Sequence, residues 1–205
     1  MRRHPLVKAL LLLTFSVGSL RLIPHIILWR CSRNRHLVDS DVRAWVEAFF
    51  EHHFRPSMTV AFLWLMTHYP EFRTLFYFRI GGLSRPVQFL CPRMESFMLF
   101  CTDLGPGLVI QHGIATVVVS HGIGPNCWIN QQVTIGGGKG DGFPILGANV
   151  RVSAGAKVLG SVRIGDNAII GANAVVVKDV PPNVTVVGVP AYIVRRDGVR
   201  VHEKL

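Results

Sequence analysis

The chain has 205 residues, of which 49% are hydrophobic and 17% are charged; this balance excludes an intrinsically disordered protein and predicts a packed core. The formal net charge is +10, and a basic surface can attract nucleic acid, anionic lipid or phosphorylated small molecules. The sequence carries no recognised nucleic-acid-binding motif, so we expect no nucleic-acid partner. The four cysteines form no C-x-x-C pair, and we expect free thiols in a reducing cytoplasm.

The N-terminal region is basic and then apolar. Residues 1–8 are basic, and residues 9–20 form a mostly apolar run that stops at Arg21. This run is shorter than the roughly 18 to 20 residues that span a bilayer, and no small-x-small cleavage site follows it. We expect a packed or membrane-touching helix. The protein is therefore predicted to be cytoplasmic, with peripheral membrane contact through this basic, apolar N-terminus as a candidate interaction.

Helical patterns follow over the rest of residues 1–95. Asp39, Ser40 and Asp41 are candidate N-caps for a helix with one apolar face. That face consists of Val42, Trp45, Val46, Phe49 and Phe50. Residues 57–69 are apolar on nearly all sides, which predicts a buried helix, and Pro70 suits the first turn of another.

The spacing of apolar residues changes after a charged, proline-containing stretch over residues 85–93. From about Leu104 apolar residues recur every six positions. Six are in unbroken register: Leu146, Val152, Val158, Ile164, Ile170 and Val176. This period fits neither a helix nor an ordinary strand, and it predicts a triangular coil in which each hexad supplies one short strand and one turn. The register breaks between Ile135 and Leu146, where glycine-rich residues 136–142 predict a projecting loop.

Several motifs in residues 104–191 resemble those of hexapeptide-repeat acyltransferases, most closely the serine acetyltransferases and related polysaccharide O-acetyltransferases. They are Leu-Gly-Pro-Gly-Leu (104–108), Gln-His-Gly (111–113), Asn-Gln-Gln-Val-Thr-Ile-Gly-Gly (130–137), Ala-Gly-Ala-Lys-Val-Leu-Gly (154–160), Ile-Gly-Ala-Asn (170–173), Val-Pro (180–181) and Gly-Val-Pro-Ala (188–191). The resemblance implies a mainly β protein with a left-handed parallel β-helix over residues 96–194, a helical N-terminal region over residues 1–95 and a C-terminal tail over residues 195–205. It also implies acetyl-CoA as co-substrate, no metal, a hydroxyl acceptor, and a homotrimer or a dimer of trimers.

By the same resemblance, His112 matches the family's general base. A neutral imidazole can remove the hydroxyl proton of the acceptor near pH 7 as the acyl group is transferred. In the family an acidic residue orients this histidine, but the matching position here is Phe97. Glu95 and Asp103 are the candidates for an orienting acid in its place.

Gly137, Ala154 and Ala172 match the positions where the family places pantetheine against the coil. Small side chains suit this role because they let a ligand approach the backbone closely. The phosphates of CoA would meet cations. The candidates are Lys139, Lys157, Lys178, Arg195 and Arg196.

The acceptor is left open. The family's second active-site histidine, which helps to hold serine, falls on Phe143, so a sugar hydroxyl of a surface polysaccharide is an alternative to serine. These acceptors belong to polysaccharide and cysteine biosynthesis, respectively. A β-helix metal enzyme would need three converging histidines, whereas the coil contains only His112 and His121. A non-catalytic oligomerisation or membrane-associated scaffold is the remaining alternative, and the basic, apolar N-terminus favours it.

Overall fold

The computed structural model describes residues 18–50, 56–137 and 142–205. In this part of the chain the helical region contains α1 (Ile23–Cys31), α2 (Arg35–Phe49), α3 (Met58–His68) and α4 (Pro70–Ile80). A 3₁₀ helix, Gly81–Leu90, follows α4. The predicted helical region is therefore confirmed. No helix within the described ranges is long and apolar enough to cross a membrane.

Helix α2 begins earlier than the sequence pattern indicated. Asn34 precedes its first residue, so Asp39, Ser40 and Asp41 lie inside the helix, and the predicted N-caps are wrong. Both carboxylates bind other elements instead. Asp39 accepts a hydrogen bond from the indole N–H of Trp29 at 2.8 Å, and Asp41 forms a buried ion pair with Arg79 of α4. A local pattern cannot anticipate such partners, because they lie elsewhere in the chain.

Aromatic side chains form the core between the helices. The ring centroids of Trp45 and Phe72 lie 5.3 Å apart, and those of Phe62 and Phe76 lie 5.1 Å apart. Both pairs are edge-to-face, an arrangement that the ring quadrupole favours. All four side chains are buried, as the apolar stripes predict.

The remainder of the described chain consists of short strands. They are β1 (Phe97–Leu104), β2 (Val109–Gln111), β3 (Thr116–Ile123), β4 (Trp128–Asn130), β5 (Thr134–Gly136), β6 (Ile145–Leu146), β7 (Arg151–Val152), β8 (Lys157–Leu159), β9 (Arg163–Ile164), β10 (Ile169–Ile170), β11 (Val175–Val176), β12 (Val184–Val187), β13 (Tyr192–Arg196) and β14 (Val199–Lys204).

These strands form the three faces of a parallel β-helix. The first face stacks β2, β4, β7, β10 and β12. The second stacks the first half of β3 on β5, β8 and β11, and the third stacks the second half of β3 on β6 and β9. Strand β1 lies beside the whole of β3 and so starts both of these faces. The fold class predicted from the hexads is confirmed.

The hexad residues point inward and stack on one another. On the first face Ile129, Val152 and Ile170 pair in register and are fully buried. The predicted break after Ile135 leaves this stacking intact, because Ile123 pairs with Leu146 on its far side. Residues 138–141 of the predicted loop lie outside the described residues.

The corners of the coil are too tight for side chains at some positions. A Cβ atom at Gly124 would lie 2.5 Å from the carbonyl carbon of Gly147 in the next coil. At the same corner Asn149, Asn167 and Asn183 adopt left-handed φ values of 57°, 59° and 57°. Their side-chain amides form a ladder, with hydrogen bonds of 3.0 and 2.8 Å between successive coils. Asparagine tolerates this conformation better than most residues.

The C-terminal end departs from the parallel pattern. Strand β13 pairs antiparallel with β12, and β14 pairs antiparallel with β13. The residues predicted as a C-terminal tail thus form the end of β13 and all of β14. This hairpin covers the last strand of the first face.

A buried ion pair fastens the helical region to the first coil. The Arg79 guanidinium donates to both carboxylate oxygens of Asp41, at 2.8 and 3.2 Å. It also donates to the backbone carbonyls of Leu104 and Gly105 at 2.5 and 2.6 Å. Asp41 in turn accepts the backbone N–H of Gly107 at 2.8 Å. Helices α2 and α4 therefore fix the corner that leads into β2.

Candidate active site

His112 lies at the corner between the first and second faces, directly after β2. Its φ is 60°, a left-handed conformation that directs the side chain away from the strand, and the residue is exposed. The neighbouring Gln111 is held in place, since its Oε1 accepts the Trp128 indole N–H at 3.2 Å and an Asn130 amide N–H at 2.9 Å. The Phe49 ring of α2 packs on Trp128 with centroids 5.8 Å apart, so the helical region borders the site.

The strand register places two of the predicted CoA-binding residues in line with His112. Gln111 pairs with Asn130, which sets His112 beside Gln131 of the next coil. The Gly155 N–H donates to the Gln131 carbonyl at 3.0 Å, and the Asn173 N–H donates to the Ala154 carbonyl at 3.0 Å. The same corner thus carries, coil after coil, one column of residues: His112, Gln131, Ala154 and Ala172.

Gly137 lies elsewhere. It follows β5 at the corner between the second and third faces, where the Gly160 N–H donates to the Gly136 carbonyl at 3.0 Å. A Cβ atom at Gly137 would lie 3.0 Å from the Phe143 ring. Within one chain, therefore, one face of the coil separates Gly137 from the column that begins with His112.

Both predicted orienting acids are exposed, and Asp103 lies away from His112. Asp103 is exposed on the third face, and the corner of residues 105–108 and strand β2 separate it from His112. Glu95 is also exposed, and its side chain lines a groove with Arg93 and Phe89. Phe97, at the position of the family's acid, is buried in β1.

The acid that the fold brings to this corner is Glu71, which sequence reasoning missed. It lies in the first turn of α4 and is 8% exposed. Its Cγ would be only 2.9 Å from a Cβ atom at Gly113, the residue after His112. Among the described residues no hydrogen bond or ion pair reaches its carboxylate. Burial raises the pKa of the nearby Tyr69, and the charge of Glu71 raises that pKa further.

Comparisons with known proteins identify the family of this chain. The sequence model described as "Bacterial transferase hexapeptide (six repeats)" matches residues 143–178. The serine acetyltransferase of Synechococcus elongatus is 51% identical over 102 residues, which are 48% of this chain and 42% of that protein. The chain thus spans less than half the length of this curated relative.

Solved structures extend the likeness over more of the chain. The Neisseria gonorrhoeae serine acetyltransferase in complex with serine is 33% identical with a TM-score of 0.61, covering 78% of this chain and 68% of that one. The chain belongs to the serine acetyltransferase family. The Brucella abortus serine acetyltransferase in complex with coenzyme A is 26% identical, also with a TM-score of 0.61, and the match covers 94% of this chain and 77% of that one.

In this member of the serine acetyltransferase family Phe143, which the sequence resemblance matches to the second histidine, is in contact with His121. The ring centroids of His121 and Phe143 lie 5.4 Å apart in an edge-to-face arrangement. Both rings line a groove of about 320 Å³ together with Phe78 and Phe100. In the described ranges no cluster of three metal-ligating side chains occurs.

Several of the predicted phosphate-binding cations have partners within this family member. The Lys157 ammonium donates to the Gln132 carbonyl at 2.6 Å, which brings it close to the corner column. Lys178 donates to the Leu205 carbonyl at 2.9 Å, and Arg196 forms an ion pair with Glu203. Arg195 makes a weak hydrogen bond of 3.5 Å to a backbone carbonyl. Lys139 lies outside the described residues.

A third groove lies at the C-terminal end of the coil, between the second face and the terminal hairpin. Its volume is about 400 Å³. Its lining includes the basic side chains Lys178, His202 and Lys204 and the ring of Tyr192. Such a groove can accept the phosphates of a long anionic ligand.

Proposed function

We propose that the protein transfers an acetyl group from acetyl-CoA to a hydroxyl acceptor, with His112 as the general base. The observation that carries the proposal is the corner column, in which an exposed histidine stands in line with Ala154 and Ala172. The serine and coenzyme A complexes of the two relatives support both substrates. Serine is accordingly the first candidate acceptor.

The chemistry follows from the imidazole. Neutral His112 takes the proton of the acceptor hydroxyl while its oxygen attacks the thioester carbonyl carbon. The tetrahedral intermediate then collapses, the C–S bond breaks, and the imidazolium returns the proton to the CoA thiolate. Such a base contributes about 10²–10⁴-fold to the rate. Backbone N–H groups of the corner turns would stabilise the oxyanion.

The CoA molecule is proposed to follow the corner column. Its pantetheine arm would pass Gln131, Ala154 and Ala172, whose small or flat side chains allow close approach. Its phosphates would reach the basic groove at the C-terminal end, where Lys178 and Lys204 supply positive charge.

Glu71 is proposed to orient the His112 imidazole in place of the acid that is missing at position 97. It is the buried carboxylate next to the turn, and a buried carboxylate would hold the ring in one tautomer and stabilise the imidazolium. Glu71→Gln should lower kcat while the KM for acetyl-CoA stays near the wild-type value. It should also lower the apparent pKa of the acidic limb of the rate profile, because the imidazolium loses a counter-charge. Glu95→Gln is the matched control, and an effect of Glu95→Gln alone would transfer the role to Glu95.

A sugar hydroxyl is the second candidate acceptor. The edge-to-face contact between Phe143 and His121 favours it, since the phenyl ring cannot accept or donate a proton as the family's histidine does for serine. An acceptor screen with acetyl-CoA, following release of free thiol, distinguishes serine from sugars of surface polysaccharides.

We further propose a homotrimer or a dimer of trimers. Gly137 and His112 lie at different corners of one chain, and a cyclic assembly would bring the Gly137 corner of one chain to the His112 corner of its neighbour. Light scattering that gives a monomer mass for active protein would contradict this. We also propose that the protein is cytoplasmic and that its basic, apolar N-terminal region touches a membrane surface peripherally.

Substitution of His112 tests the activity itself. His112→Asn should lower kcat by about 10² or more while the oligomer and CoA binding persist, and the acidic limb of the rate profile should disappear. His121→Asn is the control and should retain most of the activity. Near-normal turnover by an assembled His112→Asn protein would refute the mechanism.

A further inference from the structure

Helix α1 leaves one apolar face uncovered. Leu22, His25 and Trp29 are buried on the side that packs against the protein. The opposite side exposes Ile23 and Ile27, which are 49% and 56% exposed, and Leu20, three residues before Ile23, is 62% exposed. Large aliphatic side chains in such a row bury apolar area only when another surface covers them.

The neighbouring 3₁₀ helix exposes a second apolar row. A 3₁₀ helix has about three residues per turn, so Leu83, Pro86 and Phe89 project along one edge. Leu83 and Phe89 are 75% and 76% exposed, and Pro86 is also exposed. Ser84, in contrast, is buried, and its hydroxyl donates to the Gly81 carbonyl at 2.7 Å.

The two elements are in contact. Helix α1 packs directly on the 3₁₀ helix. The two apolar rows therefore belong to adjacent parts of one surface. We name the exposed residues of α1 and the 3₁₀ helix the lateral surface.

Cations predominate beside these rows, although Glu95 lines a groove with Phe89 and Asp39 lies 3.8 Å from Arg35. Residues 18–38 and 81–94 contain no Asp or Glu. All of their arginines are exposed: Arg21, Arg30, Arg33, Arg35, Arg85 and Arg93. A surface that combines aliphatic and aromatic side chains with arginines matches the interface of an anionic bilayer, in which apolar chains lie below negative headgroups.

We propose that the lateral surface binds anionic lipid bilayers peripherally. Ile23, Ile27, Leu83 and Phe89 enter the headgroup region, and the arginines meet the lipid phosphates. A second copy of the chain suits this surface poorly, because a twofold contact would set arginines against arginines. Nucleic acid would leave the apolar rows exposed. The inference is independent of the proposed acetyl transfer.

Vesicle co-sedimentation of the full chain tests the proposal. Binding is measured on phosphatidylcholine vesicles with and without phosphatidylglycerol, at low and high salt. We expect binding that requires phosphatidylglycerol and falls with salt. Arg85→Gln should weaken it about fivefold, the value of one arginine near a charged membrane surface.

Two paired variants separate the lateral surface from the rest of the chain. Leu83→Ser with Phe89→Ser should weaken binding at least as much as Arg85→Gln. Ile169→Ser with Val199→Ser removes two exposed side chains away from the lateral surface, 38% and 66% exposed, and should leave binding unchanged. Acetyl transfer by both variants without vesicles should match the wild type, so this result does not depend on whether the proposed function is correct.

Three outcomes would overturn the proposal. One is equal binding to both vesicle types. Another is unchanged vesicle binding by the Leu83→Ser, Phe89→Ser variant, which would assign any binding to other residues. The third is a loss of oligomer mass in that variant with no change in vesicle binding, which would identify a second copy as the occupant.

Discussion

Removal of the Arg79 guanidinium should destabilise the protein far more than removal of a comparable surface ion pair. In Arg79→Met the Asp41 carboxylate stays in a site where both side chains are 2% exposed. It keeps the backbone N–H of Gly107 but loses both guanidinium hydrogen bonds. The carbonyls of Leu104 and Gly105 also lose their charged donors.

The expected loss is about 3–5 kcal/mol of unfolding free energy, which is typical when one partner of a buried ion pair is removed. Asp41→Leu removes the other charge. The double variant Arg79→Met, Asp41→Leu should therefore lose about 1–3 kcal/mol less than the sum of the two single variants, because no buried charge is then left without a partner.

Urea unfolding at fixed protein concentration, followed by tryptophan fluorescence, measures these differences. Arg196→Met is the matched control. Arg196 lies 2.6 Å from Glu203, but the two side chains are 39% and 42% exposed, so its midpoint should change little. Additive losses in the double variant, or equal midpoints for Arg79→Met and Arg196→Met, would refute the reasoning.

Three further predictions concern the coil, the helical core and the corners. Ala154→Trp should raise the KM for acetyl-CoA about tenfold or more in an assembled protein, and an unchanged KM would exclude this position from the CoA path. Burial lowers the pKa of His25 to about 4, whereas in the unfolded chain the imidazole takes up its proton below about pH 6.5. The free energy of unfolding should therefore fall by about 1.4 kcal/mol per pH unit between pH 6.5 and pH 4. In urea titrations His25→Gln should flatten that slope. Gly147→Ala would set a Cβ atom 2.2 Å from the Asp166 carboxylate and should lower the free energy of unfolding by about 1–3 kcal/mol. Gly136 has open space around it, so Gly136→Ala should lower it less. Equal thermal midpoints of the two variants would contradict this.

The hexad pattern was sufficient to predict the β-helix because each inward residue stacks on the equivalent residue of the next coil. Ile129, Val152 and Ile170 are neighbours in space for the same reason that they share a position in the repeat. The pattern also implies the column, since a fixed repeat sets Ala154 and Ala172 one above the other. It could not reveal that Gly137 occupies another corner until the faces were assigned.

The sequence pattern could not predict contacts between distant parts of the chain. Glu71 reaches the His112 corner only because α4 packs against the first coil, and no periodicity links the two positions. Asp39 and Asp41 were misassigned as N-caps for the same reason, because their partners Trp29 and Arg79 come from other helices. The 3₁₀ helix, too, replaces what the sequence indicated only as a charged transition.

The corner column also sets fixed distances along the coil. Successive coils are separated by the spacing of paired strands, about 4.8 Å, so the three steps from His112 to Ala172 span about 14 Å. A coil inserted or deleted between them would preserve the stacking of the core, yet it would move His112 by one coil spacing relative to the basic groove at the C-terminal end. On the CoA path proposed above, the number of repeats sets the length of the ligand that fits, and a variant with one coil more or fewer should fold but bind the thioester away from His112.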